Sequence, residues 1–353
     1  MKILSLYILR SIAAPTLLVA FALLAVSSIM ELVDELQTAE RGGYGAGVAL
    51  QFVALKLPNS IYELSPTIML IGALLGLGAL ASSSELIVMR AAGMSQLRLA
   101  MAAALSGLMF AVAVFAMGDW LVPKTHQMSF DLRSEARYGG TRFGEGGAWF
   151  REDNRYIFIQ EIFSEERLGK VHIYGFDDRY RLTGALAAER AKFDDERWQL
   201  ESVRMSTVED EQVHVSVHPQ MDWLVTVSPE ILRLSVVRPA SLTTAGLWRY
   251  ASYLSNNGLD AADYWTAWWR KLAMPITVVV MSLVAVPFVS GSRRSGGAGQ
   301  RLFVGILLGV GFFLLNEIVA SSGQVYGLPP FVTALLPTAV AFTAALVWLR
   351  RFS

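Results

Sequence analysis

The sequence predicts an integral membrane α-helical bundle of six spans, interrupted by one inserted all-β domain. Three observations carry this. Of 353 residues 54% are hydrophobic and only 17% charged, an apolar excess typical of integral membrane proteins. Uncharged runs long enough to cross a bilayer recur on both sides of a polar stretch. That stretch, about 140 residues from Leu121 to Ala262, alternates apolar and polar positions with the period of strands.

The first span is read from charge segregation. Lys2 and Arg10 precede an uncharged run from Ser11 to Met30, after which Glu31, Asp34 and Glu35 mark the far interface. A basic start before an apolar run has the outline of a secretory signal peptide. The run is as long as a bilayer-spanning helix and no convincing small-residue cleavage site follows, so it reads as a retained span. A second apolar segment runs from about Val48 to Ala81, where Pro58 and Pro66 predict a bent helix or a short helix leading into the span. Leu97 to Trp120, Tyr264 to Val289, Leu302 to Ser321 and Phe331 to Trp348 complete the six.

Threaded in that order, Lys2, Arg10, Arg90, Arg98, Arg293, Arg294, Arg301, Arg350 and Arg351 fall on one side of the membrane. The bias of Lys and Arg makes that side the cytoplasm, with both termini there. Arg270 and Lys271 lie at the opposite face beside Trp265, Trp268 and Trp269, where aromatic anchors and snorkelling cations are ordinary.

The insert therefore belongs outside the cytoplasm. "KVHIYGF" and "QVHVSVH" read as strands, and "FDDRYRL" from Phe176 and "FDDERWQL" from Phe193 read as hairpin turns, with paired aspartates at the bend. Ser241 to Ser255, ending at Asn256, Asn257 and Gly258, reads as a short amphipathic helix returning to the membrane. The chain divides accordingly into residues 1–120, 121–240 and 241–353.

Much chemistry is excluded. With no cysteine there is no disulfide, thiol nucleophile or thiolate metal site. No G-x-x-x-x-G-K-[ST] loop occurs, so nucleotide hydrolysis by that route is absent, and "IGALLGLGALA" carries small residues suited to close helix packing instead. His214 and His218 share a strand face but stand about 13 Å apart at extended-chain rise, too far to share one metal. No basic patch with interleaved aromatics points to nucleic acid.

Two features remain. Polar residues sit inside or at the ends of spans: Lys56, Asn59 and Glu63 on one helical face, and Asn316 with Glu317 in the fifth span. Burying such groups in hydrocarbon costs at least a few kcal/mol, so they either pair within the bundle or line a polar route. The second feature is "SSSELIVMRAAG" between spans two and three. Ser82 and Glu85 have the spacing of a capping box and Gly93 suits a helix stop, predicting about ten residues of helix. Leu86, Ile87, Val88 and Met89 cover most of its circumference, so it is either docked against a separate subunit or laid in the headgroup layer.

"GALLGLGALASSSELIVMRAAGMS" resembles the corresponding stretch of the LptF/LptG lipopolysaccharide export permease family, nearest to its LptG branch. "LVDEL" after the first span, "ARYGG", "FDDERWQL" and "VYGLPP" extend the likeness over almost the whole chain. The resemblance implies a permease subunit of an ABC transporter in the bacterial inner membrane. It would extract lipopolysaccharide and pass it through a periplasmic β-jellyroll domain towards the outer membrane. It implies an LptF-like second permease subunit, an LptB-type ATPase dimer that binds the ATP, LptC with the periplasmic bridge, and no cofactor on this chain. The segment Ser82 to Gly93 then becomes the coupling helix, with Ser84, Glu85, Leu86, Met89, Arg90 and Gly93 at the ATPase contact. Spans one and five become lateral gates.

Where relatives carry lysines after the first span, this sequence has Glu31, Gln37 and Thr38, so Arg133, Arg137, Arg270 and Lys271 are the cations left for phosphorylated headgroups. Each is otherwise an interface anchor or a surface ion-pair partner. Two other classes stay open on the residues alone. One is a proton-driven secondary transporter using Glu63 and Glu317, against which stands the lack of an internal repeat. The other is a membrane sensor or scaffold with a ligand-binding outer domain.

Overall fold

The computed structural model describes residues 2–42, 45–138, 148–152, 154–164, 167–194, 197–209, 212–223, 239, 242–290 and 298–351. They form two compact units, one of Met1–Arg41, Ala49–His126 and Trp265–Ser353, the other of Gly42–Val48 and Gln127–Tyr264.

In chain order the helices are α1 (Lys2–Gly42), α2 (Ala46–Ser82), α3 (Glu85–Ala91) and α4 (Gln96–Ala116), and a π-helical turn at Met117–Leu121 leads into α5 (Val122–Tyr138), most of which belongs to the second unit. After the sheet comes α6 (Thr244–Asn256), also in the second unit, followed by α7 (Ala262–Ser290), α8 (Ala298–Tyr326) and α9 (Pro330–Arg351), which lie almost wholly in the first. Among the described residues six helices are long and apolar enough to cross a membrane, at Leu4–Gln37, Ala46–Ser82, Gln96–Arg133, Ala262–Val289, Leu302–Gly323 and Pro330–Arg350. The six predicted spans all lie within them. α1 runs on past the acidic residues that mark the predicted interface, and α2 is one continuous helix through Pro58 and Pro66. Membrane helices tolerate such prolines because neighbouring groups satisfy the freed carbonyls.

α2 is the most covered span. Met69, Leu70, Ala73, Leu74, Leu77 and Leu80 pack into an apolar cluster with Ile8 and Ile12 of α1, Leu99 and Ala103 of α4 and Met281 and Ala285 of α7. With lipid as apolar as these side chains, close approach rather than water exclusion holds helices together. Gly72 and Gly76, four apart, supply it: a Cβ on Gly72 would meet Thr16, and one on Gly76 would stand 2.8 Å from the Ile12 Cα.

The other unit carries a six-stranded antiparallel sheet in sequential order: β1 (Ala148–Glu152), β2 (Arg155–Ser164), β3 (Arg167–Phe176), β4 (Leu182–Asp194), β5 (Arg197–Glu209) and β6 (Gln212–Trp223). Residues 224–238, beyond β6, lie outside the described residues. At the β3–β4 turn Asp177 accepts the backbone N–H of Arg179 at 2.9 Å and of Arg181 at 2.8 Å, with the Arg181 Nε on its other oxygen. The Arg181 amide above all holds this carboxyl below the usual aspartate range. Trp198, Leu200, Val203, Val171, Ile157 and Phe150 form the core.

The alternation breaks once in each central strand. Buried Leu168 and Val171, Ala191 and Ala188, and Leu200 and Val203 are three residues apart rather than two. They pair in register as Leu168–Ala191–Leu200 and Val171–Ala188–Val203. Lys170 and Ser202, inside the break, adopt left-handed backbone at φ 46° and 55°. The break thus runs straight across the strands as a crease.

Candidate functional site

The segment joining α2 to α4 is built by two stops. α2 ends with the Ser82 hydroxyl donating back to the Ala79 carbonyl at 2.9 Å, and Ser84 turns the chain in left-handed backbone at φ 62°. The expected capping box is therefore not formed: Ser82 belongs to α2, and Ser84 at the N-cap makes no side-chain cap bond. α3 spans seven residues rather than about ten. Its end matches expectation. Gly93, at φ 90°, donates to the Arg90 carbonyl at 3.0 Å and Met94 to that of Met89 at 3.1 Å, the paired bonds of a Schellman stop.

Glu85 is held in place by neighbours outside α3. Its Oε2 accepts the Tyr7 hydroxyl at 2.7 Å and its Oε1 the Ser83 hydroxyl at 2.9 Å. The bond from Tyr7 first, and that from Ser83 second, holds the Glu85 carboxyl below the usual glutamate range. The apolar residues divide into two faces. Leu86 and Met89 are buried in the protein's own cluster, while Ile87 and Val88 are 51% and 67% exposed. The helix therefore needs less outside cover than its composition implied, and presents a narrower surface. Arg90 is half-buried beside it.

The other polar residues are mostly engaged. Lys271 is buried and stands 3.5 Å from Asp119, which the π-helical turn projects from the end of the third span. Arg270 is 4.0 Å from Glu317, and both are well exposed. Lys56 pairs with Glu31, and Asn59 donates to Glu63 at 3.0 Å. Glu63, Arg270 and Asn316 line a cavity of about 80 Å³ together with Thr67, Thr277 and Phe312. Arg133 is half-buried on α5, and the Arg137 side chain lies outside the described residues. His214 and His218 are exposed on β6.

The model of the lipopolysaccharide export system permease LptF/LptG family matches residues 6–351. The chain belongs to the LptF/LptG permease family. It is 34% identical to LptG of Escherichia coli K12 over 98% of both chains, and 32% identical to LptG of Haemophilus influenzae Rd over 97% of this chain and 96% of that one. LptF of E. coli K12 is 23% identical over 90% of this chain and 86% of its own. As an LptF/LptG permease the chain is a transport component and a multi-pass membrane protein. Two residues of this permease escape sequence reasoning, Tyr7 and Asp119. Both meet partners far away in the chain, and only the opposite charges at the ends of spans three and four nearest the insert hinted at the Asp119–Lys271 pair.

Proposed function

We propose that the chain is one of two permease subunits of a transporter that extracts lipopolysaccharide from the inner membrane and hands it to a periplasmic bridge. The observation that carries the reading is the full-length match to LptG permeases, 34% identical over 98% of the chain. α3 gives it a mechanism, since a two-residue apolar face between spans is a place for a nucleotide-driven subunit to push. The chain's partners in this reading are an LptF-like permease, an LptB-type ATPase dimer that binds the ATP, and LptC with the bridge. The segment Ser84 to Gly93 meets the ATPase in this reading, with the Ile87–Val88 pair most exposed and the half-buried Glu85 beside it.

In this reading α3 and both termini lie in the cytoplasm and the sheet in the periplasm, which the excess of Lys and Arg at the α3 side supports. Arg133, Arg137 and Arg270 are the cations assigned to lipid phosphates, while Lys271 serves Asp119. Depleting the protein tests the reading, with lipopolysaccharide expected to accumulate in the inner-membrane fraction and an ATPase to copurify with the tagged chain. Unchanged delivery of lipopolysaccharide to the outer membrane would overturn it.

A further inference from the structure

The hydrogen bond from Tyr7 to Glu85 joins residues 78 apart in the chain. Tyr7 stands at the start of α1, beside the connecting helix that the proposed motor would push. Three attachments then run along α1. At this end the Tyr7 hydroxyl holds Glu85, and Ile8 and Ile12 share one apolar cluster with Leu86 and Met89. A few residues further along, Gly76 brings the backbones of α1 and α2 together, with the Ile12 Cα 2.8 Å from where a Cβ would stand. At the far end Lys56 of α2 pairs with Glu31 of α1. These contacts tie α1 to α3 at Glu85 and to α2 at Gly76 and Lys56. α3 follows α2 across the Ser83–Ser84 turn and packs Leu86 and Met89 into the cluster it shares with α1 and α2, and the Tyr7 hydroxyl adds a directed bond to that packing.

We propose that Tyr7 is a positioning residue whose hydroxyl fastens Glu85 to the first span, so that α1, α2 and α3 move as one body. A displacement delivered at Ile87 and Val88 then reaches α1 directly instead of being lost in a rotation of α3 about the Ser83–Ser84 turn. This rests on the reading of α3 as the motor contact. The chemistry suits the task, because a bond from a hydroxyl to a carboxylate is stronger and shorter than one between neutral groups. The aromatic ring fixes the donor with only two rotatable side-chain bonds.

The test uses the whole complex reconstituted in lipid vesicles, with Tyr7→Phe removing only the hydroxyl. Lipid released per nucleotide hydrolysed is expected to fall about fivefold, the scale of losing one charge-assisted bond at a partly exposed site. The chain has no cysteine, so spin labels on Leu18→Cys in α1 and Ala92→Cys after α3 report the motion itself. With Tyr7 present the distance between them stays the same with and without nucleotide, whereas in Tyr7→Phe it broadens and shifts when nucleotide binds. Identical release ratios and identical distance distributions in both proteins would overturn the proposal. Glu85→Lys separates the two levels. If it uncouples release while Tyr7→Phe changes nothing, the fastening role is wrong and the motor contact stands. If neither substitution changes anything, the motor contact itself is wrong.

Discussion

α1 and α8 are the two spans least covered by the rest of the chain, yet they are attached to α2 in different ways. Gly76 meets the backbone of α1, at the Ser11 carbonyl and the Ile12 Cα. The glycines of α8 meet mainly side chains: a Cβ on Gly305 would stand 3.1 Å from Ile71 Cγ1 and Leu74 Cδ1, with the Ile71 Cα further off at 3.5 Å, and one on Gly309 would stand 2.6 Å from the Thr67 methyl. Side chains can change rotamer and backbones cannot step aside. The polar attachments differ likewise, with Tyr7–Glu85 and Lys56–Glu31 bracketing α1 and the exposed Arg270–Glu317 pair at 4.0 Å on α8. Exposure within the single chain is thus a poor guide to attachment: one exposed span meets α2 backbone to backbone, and the other meets it mainly through side chains.

The largest effect should come from Gly76→Val, which forces two backbones apart. Overpacking of this kind costs about 1–3 kcal/mol and more where nothing can yield, so a clear fall in melting temperature in detergent is expected. Gly309→Val on α8 should cost less, about 1 kcal/mol, because Thr67 can rotate away. Gly311→Ala, with nothing within 4 Å of the added carbon, is its control and should gain up to about 1 kcal/mol from helix propensity. Equal losses for Gly76→Val and Gly309→Val would erase the contrast between the two spans. Arg270→Gln removes an exposed pair worth about 0–1 kcal/mol, so the melting temperature should hardly move.

The smallest effect concerns pH. Because the Glu85 carboxyl is held below the usual range, the stability it lends is fully present above the ordinary glutamate pKa and is lost as pH falls through the lowered one. The label distance between α1 and α3 should therefore be constant from pH 8 to pH 6 and change only in acid well below pH 5. A change between pH 8 and pH 6 would show that another group governs the attachment.

Much of this architecture was legible in the sequence because hydropathy and charge segregation report directly on membrane crossing. The six spans, the β insert, the Gly93 stop and the small-residue packing of Gly72 and Gly76 all follow from local pattern. The ends of α1 did not, since hydropathy marks where a helix meets water and not where its hydrogen bonds stop. The capping box at Ser82 matched a spacing that α2 overrode by continuing to that residue. Leu86 and Met89 belonged to the protein's own interior, which composition alone could not divide from Ile87 and Val88. Lys271, Asp119, Tyr7 and Glu85 find their partners through tertiary contact, where one sequence carries little signal.

The crease across the sheet has a consequence for folding. In a sheet of plain alternation, a strand that slips by two residues keeps every side chain on its proper face and loses only pairs at its ends. Here the same slip sets the three-residue step of one strand against the two-residue step of its neighbour. Near the step, a charged side chain such as Lys170, Glu189 or Arg190 would then turn into the core, which is the costly outcome that a uniform pattern lacks. The crease acts as an index mark that only one alignment satisfies, and so guards a chain of six hairpin-linked strands against the error to which such sheets are most prone.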